Sequence, residues 1–379
     1  MTAQQERTAA RPAGARPPAG RRIGGVDLAR GLAVLGMFGA HMGVGRLTEL
    51  SWSPGTWPAV VDGRPSILFA VLAGLSVALI SGRDRPVTGD DLVRARLRVL
   101  VRAAWVFLIG GLLELLDTFV AVILVVYAVL FVLAVPFLRW PPARLFGLAA
   151  VLAVVTPVAD LLLGQWVTEN ADADQPFAQL VLTGTYPALI WWTFVLVGLG
   201  VGRLDLAAPR TRARLVLAGV ALALTGYSGG RMTTLALAGG QPSAGPEDGF
   251  DALGEWDPAW LSGAAPHSGT PFEVVGSTGV ALAVLGVFLV LADLLPRLVY
   301  PLASVGALAL TVYSAHLVAL AWLDPGFPAG TGLWLWFCAV AVVGATAWRL
   351  ILGPGPLELL LTWSSTRAAG GRAPAGAVP

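Results

Sequence analysis

The sequence contains no lysine and one cysteine, Cys338, in 379 residues. A single thiol excludes an intramolecular disulfide framework. Histidine is also scarce, at three scattered residues. With no thiol pair beside them, a structural metal centre is excluded and no metal is expected. Charge is sparse: 13% of residues are charged, 56% are apolar, and the mean hydropathy is +0.74. That balance excludes a soluble domain carrying a single anchor. Walker and Rossmann glycine fingerprints are absent, and nothing supports a nucleic-acid partner. The unbroken apolar run Val280–Leu291 excludes the short alternating segments of a β-barrel. The chain also lacks an internal repeat, which argues against inverted-repeat transporter folds.

What is present is a series of apolar runs of spanning length. They predict an all-α, polytopic integral membrane protein with about ten transmembrane helices, at 24–45, 65–82, 99–117, 119–138, 145–163, 185–202, 213–230, 272–293, 301–323 and 331–352. All 25 basic residues are arginine, and a cytoplasmic N-terminus leaves only Arg46, Arg64 and Arg231 outside. This asymmetry is the one the positive-inside rule requires. Residues 1–22 and 361–379 are expected to be disordered cytoplasmic tails around a membrane domain at 23–360. Three long outer segments, Met42–Arg64, Gln165–Thr185 and Gly229–Pro271, are long enough to hold structure. Most tryptophans fall near predicted span boundaries, as an aromatic belt would place them.

The first span carries the most informative spacing. Arg30 and His41 lie eleven positions apart, which is about three helical turns and roughly 16 Å, so they share one face. With Arg30 at a boundary, His41 is expected near the middle of a hydrocarbon core about 30 Å thick. An ionisable residue at that depth is a functional-site hypothesis. Asp27, one turn before Arg30, is placed to pair with the guanidinium. Elsewhere, Tyr313 and His316 lie one turn apart in the ninth span. Arg64 with Asp62 opens the second, and His267 lies in the last long outer loop. A cytoplasmic arginine cluster includes Arg94, Arg96, Arg98 and Arg102.

Together these segments resemble the transmembrane acyltransferase superfamily. Asp27-x-x-Arg30-Gly31 followed by His41 is similar to the first helix of the acyltransferase-3 enzymes. Gly63–Ser76, Pro266–Thr270, Leu308–Tyr313 with His316, and Gly355–Glu358 resemble the heparan-α-glucosaminide N-acetyltransferases and the bacterial domain-of-unknown-function 418 proteins. Two features depart from these patterns. Gly306 is followed by Ala307 rather than a basic residue, and Met42–Arg64 contains no histidine.

The resemblance implies transfer of an acyl group, most simply acetyl, from cytoplasmic acyl-coenzyme A to a hydroxyl or amine of an extracytoplasmic sugar or envelope acceptor. It implies His41, Arg30 and Asp27 as catalytic residues, with His41 as general base or acyl carrier. Arg30, Arg98 and Arg102 would bind coenzyme A phosphates. Arg64, His267, Tyr313 and His316 would bind acceptor. The expected setting is the cell membrane, among lipids, with a homodimer allowed. The alternative function is a transporter or channel for a small solute or lipid-linked intermediate, with His41 relaying protons and Arg30 binding an anion.

Overall fold

The computed structural model describes residues 23–44, 60–171, 175–237, 239–240 and 257–371. The N-terminal tail, Arg46, Trp52, Trp57, Asp172, Asp174, Trp256 and residues 372–379 lie outside the described residues. Among the described residues the regular structure is entirely helical. In chain order the helices are α1 (Gly24–His41), α2 (Arg64–Ile80), α3 (Gly89–Glu114) and α4 (Leu124–Ala134, with a 3-10 turn Val135–Phe137). Next come α5 (Pro142–Asn170), α6 (Pro176–Ala178, running into a π-helical turn Gln179–Thr183), α7 (Ala188–Val201) and α8 (Pro209–Leu237). The last five are α9 (Pro271–Leu294), α10 (Pro296–Ala307), α11 (Ala309–Leu323), α12 (Thr331–Ile351) and α13 (Pro356–Ala368).

Each of the ten predicted segments contains a helix, yet among the described residues only α5, α8, α9 and α12 are continuous helices long and apolar enough to cross a membrane. Counting the bent pairs α6–α7 (56°) and α10–α11 (68°) as one span each gives six. Length and composition thus bear out a polytopic all-α membrane protein and leave the expected number of about ten spans unconfirmed. The reasons differ by element: α2 and α4 are short, whereas α1 and α3 are long enough but carry charged residues that lower their hydropathy. Three further departures concern ends. α3 begins ahead of its predicted span, at Gly89. The outer segment after Gln165 stays helical to Asn170 and resumes at Pro176. α13 runs to Ala368, so the first part of the expected C-terminal tail is helix rather than disordered.

α1 is the hub, packed against α2, α9, α10, α11 and α12. Most of its residues are buried, among them Ala29, Ala33 and Val34 at 0% exposure, as expected of a helix surrounded by others. Glycine allows the closest approach. A Cβ at Gly306 of α10 would overlap the Asp27 carbonyl of α1, and one at Gly31 would overlap the Leu302 carbonyl. Small residues at crossings are the usual means of bringing membrane helices into backbone contact.

Two polar devices fix the ends of the bundle. Arg203, just beyond α7, is 4% exposed and donates to the Ser81 and Arg83 carbonyls, the Ser81 Oγ and the Leu138 carbonyl. Burial pulls this guanidinium down to about 10, which leaves it charged at neutral pH. At the α10–α11 break, Glu358 of α13 accepts from the backbone N–H groups of Leu310 (2.8 Å) and Thr311 (3.1 Å) and from Thr311 Oγ1 (2.6 Å). It satisfies donors that the first turn of α11 leaves without intrahelical partners.

Candidate active site

Arg30 projects from α1 toward α2. Its Nη1 donates to Asp27 Oδ1 at 3.1 Å and its Nη2 to Ser76 Oγ at 2.6 Å. The pairing expected from the i, i+3 spacing is present, and Ser76 is a partner that sequence reading did not find. Both residues of the pair line a cavity of about 390 Å³, shared with Arg83, Arg102, Tyr127, Tyr313 and Glu358. Arg102 is held at the wall by Ser365 Oγ and Thr362 Oγ1 of α13, each at 3.3 Å. Arg98 does not line this cavity, although the sequence grouped it with Arg102.

His41 is the last residue of α1 rather than a mid-helix residue, yet it is only 9% exposed. The segment before α12 folds back over this end, where Ala329 N donates to the Met42 carbonyl at 3.0 Å. His41 Nδ1 lies 2.8 Å from His316 Nε2 of α11, and the two rings are stacked with planes 10° apart. His316 Nδ1 lies 2.5 Å from the Tyr313 carbonyl oxygen.

The partners assign the tautomers of the neutral pair. A carbonyl oxygen only accepts, so His316 carries its proton on Nδ1 and its Nε2 must accept. His41 therefore donates from Nδ1, which leaves its Nε2 as the nitrogen with a lone pair. Tyr313 lies edge-on to both rings, with centroids 6.0 Å from His41 and 5.1 Å from His316. His316 lines neither cavity. It stands behind His41, away from the cavity walls where an acceptor-binding residue is expected.

His41 opens instead onto a second cavity, also about 390 Å³, at the opposite end of the bundle from the arginines. Its polar lining includes Asp62, Asp160, Thr185, His267, Ser268 and Glu273, and its walls include Phe119, Tyr186, Trp191 and Phe194. His267 takes a left-handed backbone (φ 61°), held by its N–H donating to Glu273 Oε1 at 2.7 Å. Glu273 Oε2 accepts from Gly269 N at 2.7 Å. Thr270 Oγ1 in turn caps α9 by accepting from Glu273 N at 3.1 Å. The Thr270-x-x-Glu273 pattern is that of a capping box, with the carboxylate turned to the loop that carries His267.

Arg64, expected to meet acceptor, does not line this cavity. Its Nε donates to Tyr227 Oη at 3.0 Å and its guanidinium covers the Tyr227 ring. Asp160, which the sequence reading passed over, does line it. The signal was available, because Asp160 is the sole charged residue of the predicted fifth span.

The family model described as heparan-alpha-glucosaminide N-acetyltransferase, catalytic, matches residues 22–231, more than half of the chain. The chain belongs to the heparan-α-glucosaminide N-acetyltransferase catalytic family. It is an acetyltransferase-like membrane enzyme. A comparison with curated proteins finds no match. The region matched to the acetyltransferase family runs from α1 into α8 and includes Asp27, Arg30, His41, Arg102 and Asp160. His267, Tyr313, His316 and Glu358 come from the part of the chain beyond it.

Proposed function

We propose that this protein transfers an acyl group, acetyl first, from cytoplasmic acyl-coenzyme A to a hydroxyl or amine of an extracytoplasmic sugar, across the cell membrane. One observation carries the reading: two cavities of opposite character approach each other at His41 and Tyr313, whose ring centroids are 6.0 Å apart. Tyr313 lines the cavity with Arg30, Arg83 and Arg102, while His41 lines the one with Asp62, Asp160 and Glu273.

The arginine-lined cavity fits a phosphate-rich donor. Its acidic lining groups, Asp27 and Glu358, are engaged by Arg30 and by the start of α11, so the wall is net cationic. Guanidinium groups bind phosphate through paired N–H donors, and Asp27 and Ser76 hold the plane of the Arg30 fork. The positive-inside asymmetry supports a cytoplasmic position for this end. Acyl-coenzyme A would supply a thioester: the acceptor oxygen or nitrogen would bond to its carbonyl carbon, the C–S bond would break, and the leaving thiolate would take up the proton passed to His41.

His41 Nε2 accepts the proton of the attacking hydroxyl or amine, which is general-base work. His316 keeps that lone pair available by accepting from His41 Nδ1–H. Closure of the cluster by the stacked rings and by Phe38, 4.2 Å from the His316 ring, limits water at the transfer point.

The test is acetyl-coenzyme A binding and consumption by the purified protein, with sugars as acceptors. His41→Ala is expected to bind donor and to lose about 10²–10⁴-fold in turnover, whereas Arg30→Ala weakens donor binding. Folded wild-type protein that binds no acyl-coenzyme A would sink the proposal, and gradient-driven solute uptake by that protein would establish transport in its place.

A further inference from the structure

Asp160 lies three residues after Pro157 in the long apolar helix α5. It is 1% exposed, and its Oδ1 has no hydrogen-bond partner among the described residues. A buried carboxyl oxygen without a partner is costly, and the fold gains nothing visible from it. It does line the outer cavity. The other carboxyl groups there differ from it. Glu273 is engaged by the backbone of His267 and Gly269, and Asp62 is only half-buried. Among the described residues no arginine lines the cavity, and Arg64 is turned to Tyr227. Tyr186 and Trp191 stand in the same lining, and aromatic side chains suit the apolar face of a pyranose.

Resting on the reading that this cavity receives the acceptor, we propose that Asp160 is its specificity-determining residue. The carboxyl accepts a hydrogen bond from an O–H or N–H of the acceptor sugar. It admits neutral and cationic sugars to the cavity that holds His41 and bars anionic ones, since a further carboxylate would meet the carboxyl groups of Asp160 and Asp62 with no arginine among the described lining residues.

The experiment needs no acyl donor. Saturation-transfer NMR on the purified full chain would compare glucose, glucosamine and glucuronate, which share a ring and differ in charge. Wild type is expected to bind the first two and not the third. Asp160→Leu should weaken glucose and glucosamine by roughly tenfold or more. Asp160→Asn, which keeps an acceptor oxygen, should bind glucose nearly as wild type does and should now admit glucuronate.

A thermal melt separates this role from a structural one. Asp160→Leu should melt higher than wild type because an unpaired carboxyl has been removed, whereas a structural Asp160 would give a lower melt. Unchanged sugar affinity in Asp160→Leu, glucuronate binding by wild type, or a lowered melt would each overturn the inference. Sugar binding in the expected order by a protein that consumes no acyl-coenzyme A would leave this inference standing and remove only the acyltransferase reading.

Discussion

A buried imidazole accepts a proton only at a nitrogen that its neighbours have left unprotonated. For His41 that choice is made by a carbonyl two partners away, Tyr313 O, through His316. Removing the relay without changing its bulk tests this directly. His316→Phe is expected to lower kcat by less than His41→Ala does, with donor affinity unchanged. In ¹⁵N spectra of labelled protein, His41 Nε2 should be unprotonated in wild type and lose that preference in His316→Phe. A second prediction concerns Arg30, whose two donors reach different helices. Arg30→Lys should not restore donor binding, because a point charge cannot serve Asp27, Ser76 and a phosphate together. Titration calorimetry with coenzyme A is the check. The Asp27–Arg30 pair was legible in the sequence from its spacing alone. The His41–His316 bond was not, because its partners are 275 positions apart.

At the scale of the element, the ninth predicted span shows what pattern reading misses. Its apolar run is continuous through 301–323, yet the chain breaks at Leu308 and turns by 68°. Neither glycine nor proline stands at the break itself. The bend is held from outside, by the Gly306 contact with α1 and by Glu358 reaching the start of α11. Glu358→Ala should lower stability by about 0.5–2 kcal/mol, the usual cost of losing a helix cap, and should reduce kcat by loosening Tyr313 and His316. A thermal melt read beside kcat would show both falls. Gly306→Ala should be the more damaging change, by about 1–3 kcal/mol or more, because its methyl group would enter the α1 backbone. Poor recovery of folded protein in detergent, with Gly344→Ala on the open face of α12 as the neutral control, is the expected result.

For the whole molecule, the essential property is a bundle with separate cavities at its two ends, cationic at one and acidic at the other. Sidedness follows from the arginine distribution and is directly measurable. In a Cys338→Ser background, Thr362→Cys should react with a membrane-impermeant thiol reagent from the cytoplasmic side only. Thr185→Cys should react from the outer side only. The reverse pattern would invert the assigned orientation, and labelling of both from one side would abolish the two-cavity arrangement. Neither cavity is visible as a sequence motif, since each draws its lining from segments spread over most of the chain.

Composition alone determined that this is a helical membrane protein, since backbone polar groups within lipid must be satisfied inside each segment and apolar run length reports that directly. Local spacing determined the Asp27–Arg30 pair and singled out His41, because helical periodicity relates near neighbours without knowledge of the fold. The tertiary structure decided the rest. It turned Arg64 away to Tyr227, left Arg98 off the arginine-lined cavity, set His316 behind His41, and brought Asp160 to the cavity that His41 lines. Each of those outcomes depends on which faces of distant helices meet, and the close approach of glycine-bearing backbones such as α1 and α10 sets that meeting.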